Sequence, residues 1–296
     1  MSLFSSRKTR VVDTDILVIG GGFGGCGATY ESRYWGRNLK VTLVEKANIE
    51  RSGAVAHGLS AINCYMGMRW NENQPEDFVR YARGDLMGLV REDLIYDIAR
   101  HVDGTVHMFE EWGLPIMKNP ETGHYLREGK WQVMIHGESY KPIIAEAARK
   151  SASEVHNRIM VTHLLMDATH PNRVAGAVGF NVRDGSFYVF RAKAVIVAAG
   201  GASHIFKPRS VGEGMGRTWY APWSSASAYG LVLRAGAQMI QTENRTILIS
   251  SHILSELAES CDAILVIERG RKIVSGGIDE VARGLSGARK TFLKTA

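Results

Sequence analysis

Cysteine is scarce: Cys26, Cys64 and Cys261 lie far apart in 296 residues, with no C-x-x-C pair. That spacing excludes a self-contained zinc site or iron–sulfur cluster, so no metal site is expected, and it fits a reducing compartment. No apolar run approaches the ~20 residues that a membrane helix requires, and no membrane span is expected. No apolar region follows Met1-Ser2-Leu3-Phe4-Ser5-Ser6-Arg7-Lys8 as it would in a secretory leader, so a cytoplasmic location is expected. The formal charge of +6 is spread along the chain. There is no basic stripe with interleaved aromatics; anionic ligands explain the charge, and nucleic acid is not an expected partner. Gly-Lys-Ser and Gly-Lys-Thr are also missing, which removes the usual cradle for a nucleoside triphosphate.

What is present is a globular composition, 45% hydrophobic and 22% charged, on a length that suits one large domain or two smaller ones. The chain is organised around Asp15-Ile16-Leu17-Val18-Ile19-Gly20-Gly21-Gly22-Phe23-Gly24-Gly25-Cys26-Gly27-Ala28. Ile16 to Ile19 reads as a buried strand running into Gly20-x-Gly22-x-x-Gly25 and then a helix ending near Trp35. Gly20 permits the tight reversal, Gly22 lets backbone approach a pyrophosphate, and Gly25 lets helix and strand pack closely. The helix N-terminus offers free N–H groups and a positive dipole end to phosphates. A second strand, Lys40 to Val44, ends in Glu45, twenty residues after Gly25. A carboxylate there takes ribose hydroxyls. Strand, helix, strand and acid in this order predict dinucleotide binding.

Residues 51–65 are rich in small residues and lack helical periodicity, so they read as backbone passing close to something flat; His57 reads as a hydrogen-bonding wall of that site. Apolar residues at three- and four-residue steps predict helix from Pro75 to Trp112, divided near Gly84 and Gly88 and stopped by Gly113-Leu114-Pro115. Residues 123–133 read as a hairpin or loop, with Trp131 either beneath a ligand or in the core. Ser139 to Ser151 is again helical, with Ile143, Ile144 and Ala147 inward. Three strands follow, over 160–166, 174–180 and 187–190, with turns at Pro171-Asn172-Arg173 and Arg183-Asp184-Gly185-Ser186. A separate apolar strand from Ala192 then opens into the turn Ala198-Ala199-Gly200-Gly201.

The glycine turn, Glu45, residues 51–58 and residues 198–201 together resemble the flavoprotein subunits of fumarate reductase and succinate dehydrogenase. Within that family three stretches are similar to the alpha subunits of dissimilatory adenylylsulfate reductase. They are Val55-Ala56-His57-Gly58-Leu59-Ser60-Ala61-Ile62-Asn63, Ile135-His136-Gly137-Glu138-Ser139-Tyr140-Lys141-Pro142 and Gly216-Arg217-Thr218-Trp219-Tyr220-Ala221-Pro222-Trp223. The resemblance covers residues 14–245 and implies an α/β fold: a Rossmann-like FAD domain with a parallel sheet plus a small antiparallel sheet. Covalent members carry histidine where this chain has Gly53, so it implies non-covalent FAD. The family has glutamine at the position of His57, a departure expected to alter flavin contacts but not the fold. The expected cofactor contacts are Gly20, Gly22, Gly24 and Gly25; Glu45 and Lys46; Ser52, Gly53, Ala54, Gly58 and Ser60; and Ala199, Gly200 and Gly201.

The activity implied is two-electron sulfur chemistry at the flavin, converting adenylylsulfate to sulfite and AMP or the reverse. An iron–sulfur beta subunit is the implied electron partner. By resemblance Asn63 donates to the substrate, Trp219 sits at the flavin edge, and Glu138 is a weaker catalytic candidate; without it, Trp219 reads as core and Glu138 as a helix N-terminal carboxylate. Other fumarate-reductase-type dehydrogenases and a non-catalytic FAD-binding fragment are the alternatives.

The reductase pattern stops at Gln241-Thr242-Glu243-Asn244-Arg245. The family continues there with a capping domain, which is not expected in this chain. Residues 246–257 and 261–277 instead resemble the end of an ABC-transporter ATPase domain: strand, switch-loop histidine (His252), helix, then a strand–turn–strand. A generic βαββ unit is the plainer reading. Without a phosphate loop, such a tail has nothing with which to hydrolyse ATP. The domains expected are therefore 1–245, an FAD-binding domain without its cap, and 246–296, an ABC-ATPase-like fragment. No Gly-, Ser- or Pro-rich linker separates them, so the junction reads as two unrelated fragments joined in one frame, and impaired activity is expected.

Overall fold

The computed structural model describes residues 8–86, 88, 90–201, 224, 226–237, 263–268 and 271–277. Two compact units are present, Met1–Ile240 and Gln241–Ala296. Trp219 and His252 lie outside the described residues.

The first unit opens with β1 (Thr9–Ile19), α1 (Phe23–Trp35) and β2 (Val41–Glu45). Ile16 to Ile19 is only the buried end of β1, which begins seven residues earlier at Thr9. The earlier half has an exposed, polar pattern and is a strand because it pairs with a long partner, which local apolar character does not reveal. A short strand β3 (Ala61–Ile62) precedes α2 (Pro75–Asp85) and α3 (Glu92–Glu111). Proline opens α2 in its first turn, and the Gln74 N–H donates to Asp77 Oδ2 at 2.9 Å. The break falls at Gly88, whose N–H returns to the Arg83 carbonyl with φ +77°; Gly84 stays inside α2. Leu114 N–H to Phe109 O closes α3.

Next come β4 (Arg127–Glu128), β5 (Gln132–Met134), α4 (Gly137–Ser151), β6 (Glu154–Asn157), β7 (Ile159–Met166), β8 (Val174–Asn181), β9 (Phe187–Val197) and α5 (Ser227–Leu233). The main sheet has the order β6-β2-β1-β9-β8-β7. β1 runs parallel to both β2 and β9, with Ile19 opposite Val44 on one side and Val197 on the other. β7 and β8 turn antiparallel. The strands expected at 187–190 and from 192 are one continuous strand. No turn residue separates Phe190 from Ala192, and Arg191 between them ion-pairs with Asp13 of β1 at 2.7 Å. β9 is thus antiparallel to β8 and parallel to β1 at once. A small antiparallel sheet, β3-β5-β4, stands apart.

Alternation along the central strands sorts the core into two faces. Val18 and Leu43 point to one face with Ile49, Phe109, Tyr140 and Ile144, under α1, α3 and α4. Leu17, Ile19 and Val44 point to the other with Ile159, Phe190 and Leu231, under β7 and α5. Trp131 belongs to a third cluster with Met66, Phe78 and Ala99 and is core. Buried Asp103 of α3 accepts N–H bonds from Met66 at 2.7 Å and Met68 at 2.8 Å, fastening the loop after β3.

In the second unit, β10 (Ala263–Glu268) and β11 (Arg271–Gly277) form an antiparallel pair with Val266 opposite Val274. These are the two strands expected within 261–277; the turn expected between them lies outside the described residues. Among the described residues no helix is long and apolar enough to cross a membrane.

Candidate functional site

The carboxyl ends of β1, β2 and β9 lie side by side, and the chain leaves each one through a turn. Ligands of open α/β sheets bind outside such ends. A cleft of about 720 Å³ opens there, lined by Ile19, Val44 and Ala198 at the three strand ends. That volume lies within the roughly 300–1,000 Å³ of small-molecule sites.

The glycine turn forms its first wall. Gly20 turns at φ +104°, and a Cβ there would meet the Ala198 carbonyl oxygen at 2.4 Å. The turn is therefore wedged against the chain leaving β9. A Cβ on Gly25 would lie 1.6 Å from the Gly20 oxygen. Gly22 is the N-cap of α1, whose first turn holds no acidic residue and no side-chain cap. Its leading N–H groups have no intrahelical acceptors and face an anion with a positive helix end.

Glu45, 5% exposed, accepts from the Gly21 N–H at 2.6 Å through Oε2 and from the Ala47 N–H at 2.7 Å through Oε1. Each oxygen keeps a second lone pair for a ligand hydroxyl. Ser52 Oγ donates to the Gly21 carbonyl at 3.0 Å. Gly53, at φ +82°, presses its backbone on Gly22, where a Cβ would come within 2.8 Å of the Gly22 Cα.

Of the cofactor contacts expected from sequence, Gly20, Gly22 and Gly24 line the cleft, as do Glu45 and Lys46. Ser52, Gly53 and Ala54 join them, and so do Ala199, Gly200 and Gly201. His57 lines it too. Gly25, Gly58 and Ser60 do not: Gly25 is buried where α1 meets the turn, and Gly58 ends the short helical turn Ala54–His57 with φ +78°. Asn63 is exposed just after β3, and Glu138 stands at the start of α4 with its Cγ 3.8 Å from where a Gly58 Cβ would be. Neither lines the cleft.

Sequence reasoning missed a whole wall, Ile159, Met160 and Val161 of β7 with Ser227 and Leu231 of α5. No local pattern marks these residues, because only sheet order brings them there. It also missed Lys141. Lys141 Nζ donates to the Gly21 carbonyl at 2.7 Å and to the Ile49 carbonyl. A signal existed: a lysine on the same helical face as Ile144, Ala145 and Ala148 is a charge on an apolar face. Burial lowers the Lys141 pKa from the ordinary lysine value, opposed by Cys26, Glu45 and Glu50. Burial likewise raises the Cys26 thiol, which Lys141 partly offsets. Cys26 is therefore an inert packing thiol at neutral pH. Among the described residues no three His, Cys, Asp or Glu side chains converge as a metal site.

A backbone-lined groove at a helix N-terminus, continued by a mostly apolar chamber, fits an elongated dinucleotide carrying a flat ring system. The family model described as "FAD binding domain" matches residues 15–272. The adenylylsulfate reductase alpha subunit of Megalodesulfovibrio gigas is 50% identical over 256 residues, covering 78% of this chain and 38% of that one. The solved adenylylsulfate reductase of Archaeoglobus fulgidus is 60% identical with a TM-score of 0.73, over 78% of this chain and 37% of that one. The 8-methylmenaquinol:fumarate reductase flavoprotein subunit of Wolinella succinogenes is 24% identical over 281 residues, covering 90% of this chain and 44% of that one. The chain thus spans less than half the length of each of these three relatives. With a cradle that fits the cofactor and a family match over most of its length, the chain belongs to the FAD binding domain family, and FAD is its cofactor.

Proposed function

We propose that this chain is the FAD-holding part of an adenylylsulfate reductase alpha subunit, an oxidoreductase that interconverts adenylylsulfate with sulfite and AMP. One observation carries the reading: 60% identity to a solved adenylylsulfate reductase that superimposes at a TM-score of 0.73. The 24% identity to a fumarate reductase subunit supports a shared ancestry and not that substrate.

FAD, when bound, supplies a two-electron couple to the sulfur. The chain's own residues hold and orient it. The N–H groups opening α1 receive the diphosphate, and Glu45 accepts from the ribose hydroxyls. The 52–57 segment and the 198–201 turn flank the rest of the cofactor. Gly53 leaves no side chain to bond covalently to the ring, so the FAD is non-covalent. The apolar side chains of Ile159, Val161 and Leu231 keep water from that part of the cleft. Asn63 and Glu138 act on the substrate side, with Trp219 at the flavin edge as the entry for electrons from an iron–sulfur beta subunit. The second unit is an ABC-ATPase-like segment without a phosphate loop and takes no part in the reaction.

The purified chain is expected to carry FAD, with a flavin absorption spectrum, and to release it intact on heat denaturation. Colourless protein that cannot be reconstituted with FAD would sink the cofactor assignment. With a beta subunit supplied, FAD-loaded protein should show AMP-dependent sulfite oxidation only far below the rate of a full-length reductase, and no fumarate reduction. The opposite specificity would remove the sulfur reading while leaving FAD in place.

A further inference from the structure

Lys141 is the most deeply buried charged side chain among the described residues, 1% exposed. Among them it makes no ion pair; its partners are two carbonyls and the Cys26 sulfur at 3.4 Å. A buried ammonium held directly only by carbonyls and a thiol is costly to a fold; the Glu45 and Glu50 carboxylates favour its charge from beyond ion-pair distance, and a further anion at the turn would add to them.

The geometry of the Gly21–Gly22 peptide says where. A trans peptide directs its C=O and N–H to opposite sides. The Gly21 carbonyl is held inward by Lys141 Nζ at 2.7 Å and Ser52 Oγ at 3.0 Å, with Cys26 Sγ at 3.4 Å. The Gly22 N–H must then point the other way, toward the cleft that Gly22 lines. Among the described residues that N–H meets no acceptor. The inner face of the turn is thus set by α4, an element about 120 residues away in sequence.

We propose that Lys141 is a positioning residue for the diphosphate of FAD, pinning the Gly21 carbonyl so that the Gly22 N–H aims at the phosphates, with its charge supplying the counter-field behind the turn. The proposal rests on the FAD assignment and goes beyond it by naming which part of the cofactor the lysine reads. Burial alone drives the ammonium toward neutrality, and Cys26, Glu45 and Glu50 oppose this. A bound diphosphate adds to that opposition and favours the charged form.

The test compares affinities of the FAD-stripped chain for FAD, ADP and adenosine, the last two by competition. Lys141→Met should weaken FAD and ADP by about 10- to 150-fold, the range of the charge-assisted hydrogen bond that pins the Gly21 carbonyl. Adenosine, which lacks phosphates, should change by no more than about threefold on the same scale. Lys141→Gln keeps a donor without the charge and should fall between parent and Met. Equal losses for ADP and adenosine would mean a merely structural lysine and would overturn the proposal. If neither variant folds, the parent decides. Its preference for ADP over adenosine should survive from about 0.05 to about 1 M salt, because a buried charge escapes screening. Collapse of that preference would assign it to surface charges such as Arg51 and overturn the proposal. A parent that binds ADP but not FAD would remove the cofactor assignment and this proposal with it, and is told apart by the missing flavin signal.

Discussion

Replacing Gly25 with alanine should destabilise the first unit by about 3 kcal/mol or more and leave it without bound FAD. The added methyl would sit 1.6 Å from the Gly20 carbonyl oxygen, and neither backbone can yield cheaply. Gly20 is itself wedged against the Ala198 carbonyl, so moving it displaces the chain leaving β9. The first turn of α1 would have to swing away from the strand end, taking the phosphate-facing N–H groups with it. For a unit of this size, a loss of about 3 kcal/mol lowers the melting temperature by about 6–12 °C. The control lies two residues further along the same helix. A Cβ on Gly27 meets nothing within 4 Å, and alanine is the better helix former, so Gly27→Ala should gain up to about 1 kcal/mol. Thermal melts of both variants, with flavin absorbance read on the same samples, check the pair. A Gly25→Ala protein melting with the parent and retaining FAD would mean that α1 does not abut Gly20 as described.

Those opposite signs on one helix show what the sequence can reveal and what it cannot. The glycine spacing after a short apolar run was legible because all its constraints are local: the reversal at Gly20, the close approach at Gly25 and the helix start fall within six residues. Glu45 was legible for a similar reason, since a strand of known direction fixes where its last residue emerges. β6 was not expected, because Glu-Val-His-Asn has no strand signature and is a strand only by pairing with β2. The merging of two expected strands into β9 likewise depends on partners on both sides, not on a local pattern.

The site follows the same division. Its glycine turn, acid and small-residue segment were read directly, while the wall from β7 and α5 depends on sheet order. Lys141 was quoted only as part of a resemblance. Its place behind the Gly21 carbonyl needs the packing of α4 onto α1 and the turn, which no spacing encodes. Asp103 makes the same point in α3: an acid in a helix reads as surface until its two N–H donors from the loop after β3 are seen. The features tied to Trp219 and to His252 lie outside the described residues and stay with the sequence argument alone.

Glu45→Gln should harm both the fold and the cofactor site, and more than loss of a charge would suggest. The intact carboxylate accepts two backbone N–H bonds, one on each oxygen, from Gly21 and Ala47. An amide has one acceptor oxygen and one donor nitrogen, so one of those N–H groups must face an NH₂. Leaving a buried donor without an acceptor costs about 1–3 kcal/mol, and this falls on the FAD-free protein. The ribose also loses a charge-assisted partner, worth about 1.5–3 kcal/mol, or roughly 10- to 150-fold in affinity. The two effects are separable. Chemical denaturation of FAD-free protein reads the first, and a fluorescence titration with FAD reads the second. Glu45→Ala strips both acceptors and should exceed Glu45→Gln in the first measurement. If Gln lowered FAD affinity but left the FAD-free stability unchanged, Glu45 would be a ligand group only, and the bonds to Gly21 and Ala47 would contribute nothing to the turn. If stability fell and affinity did not, the ribose would lie elsewhere in the cleft. Only a loss in both supports the arrangement in which one carboxylate fastens the glycine turn to β2 and receives the cofactor's ribose.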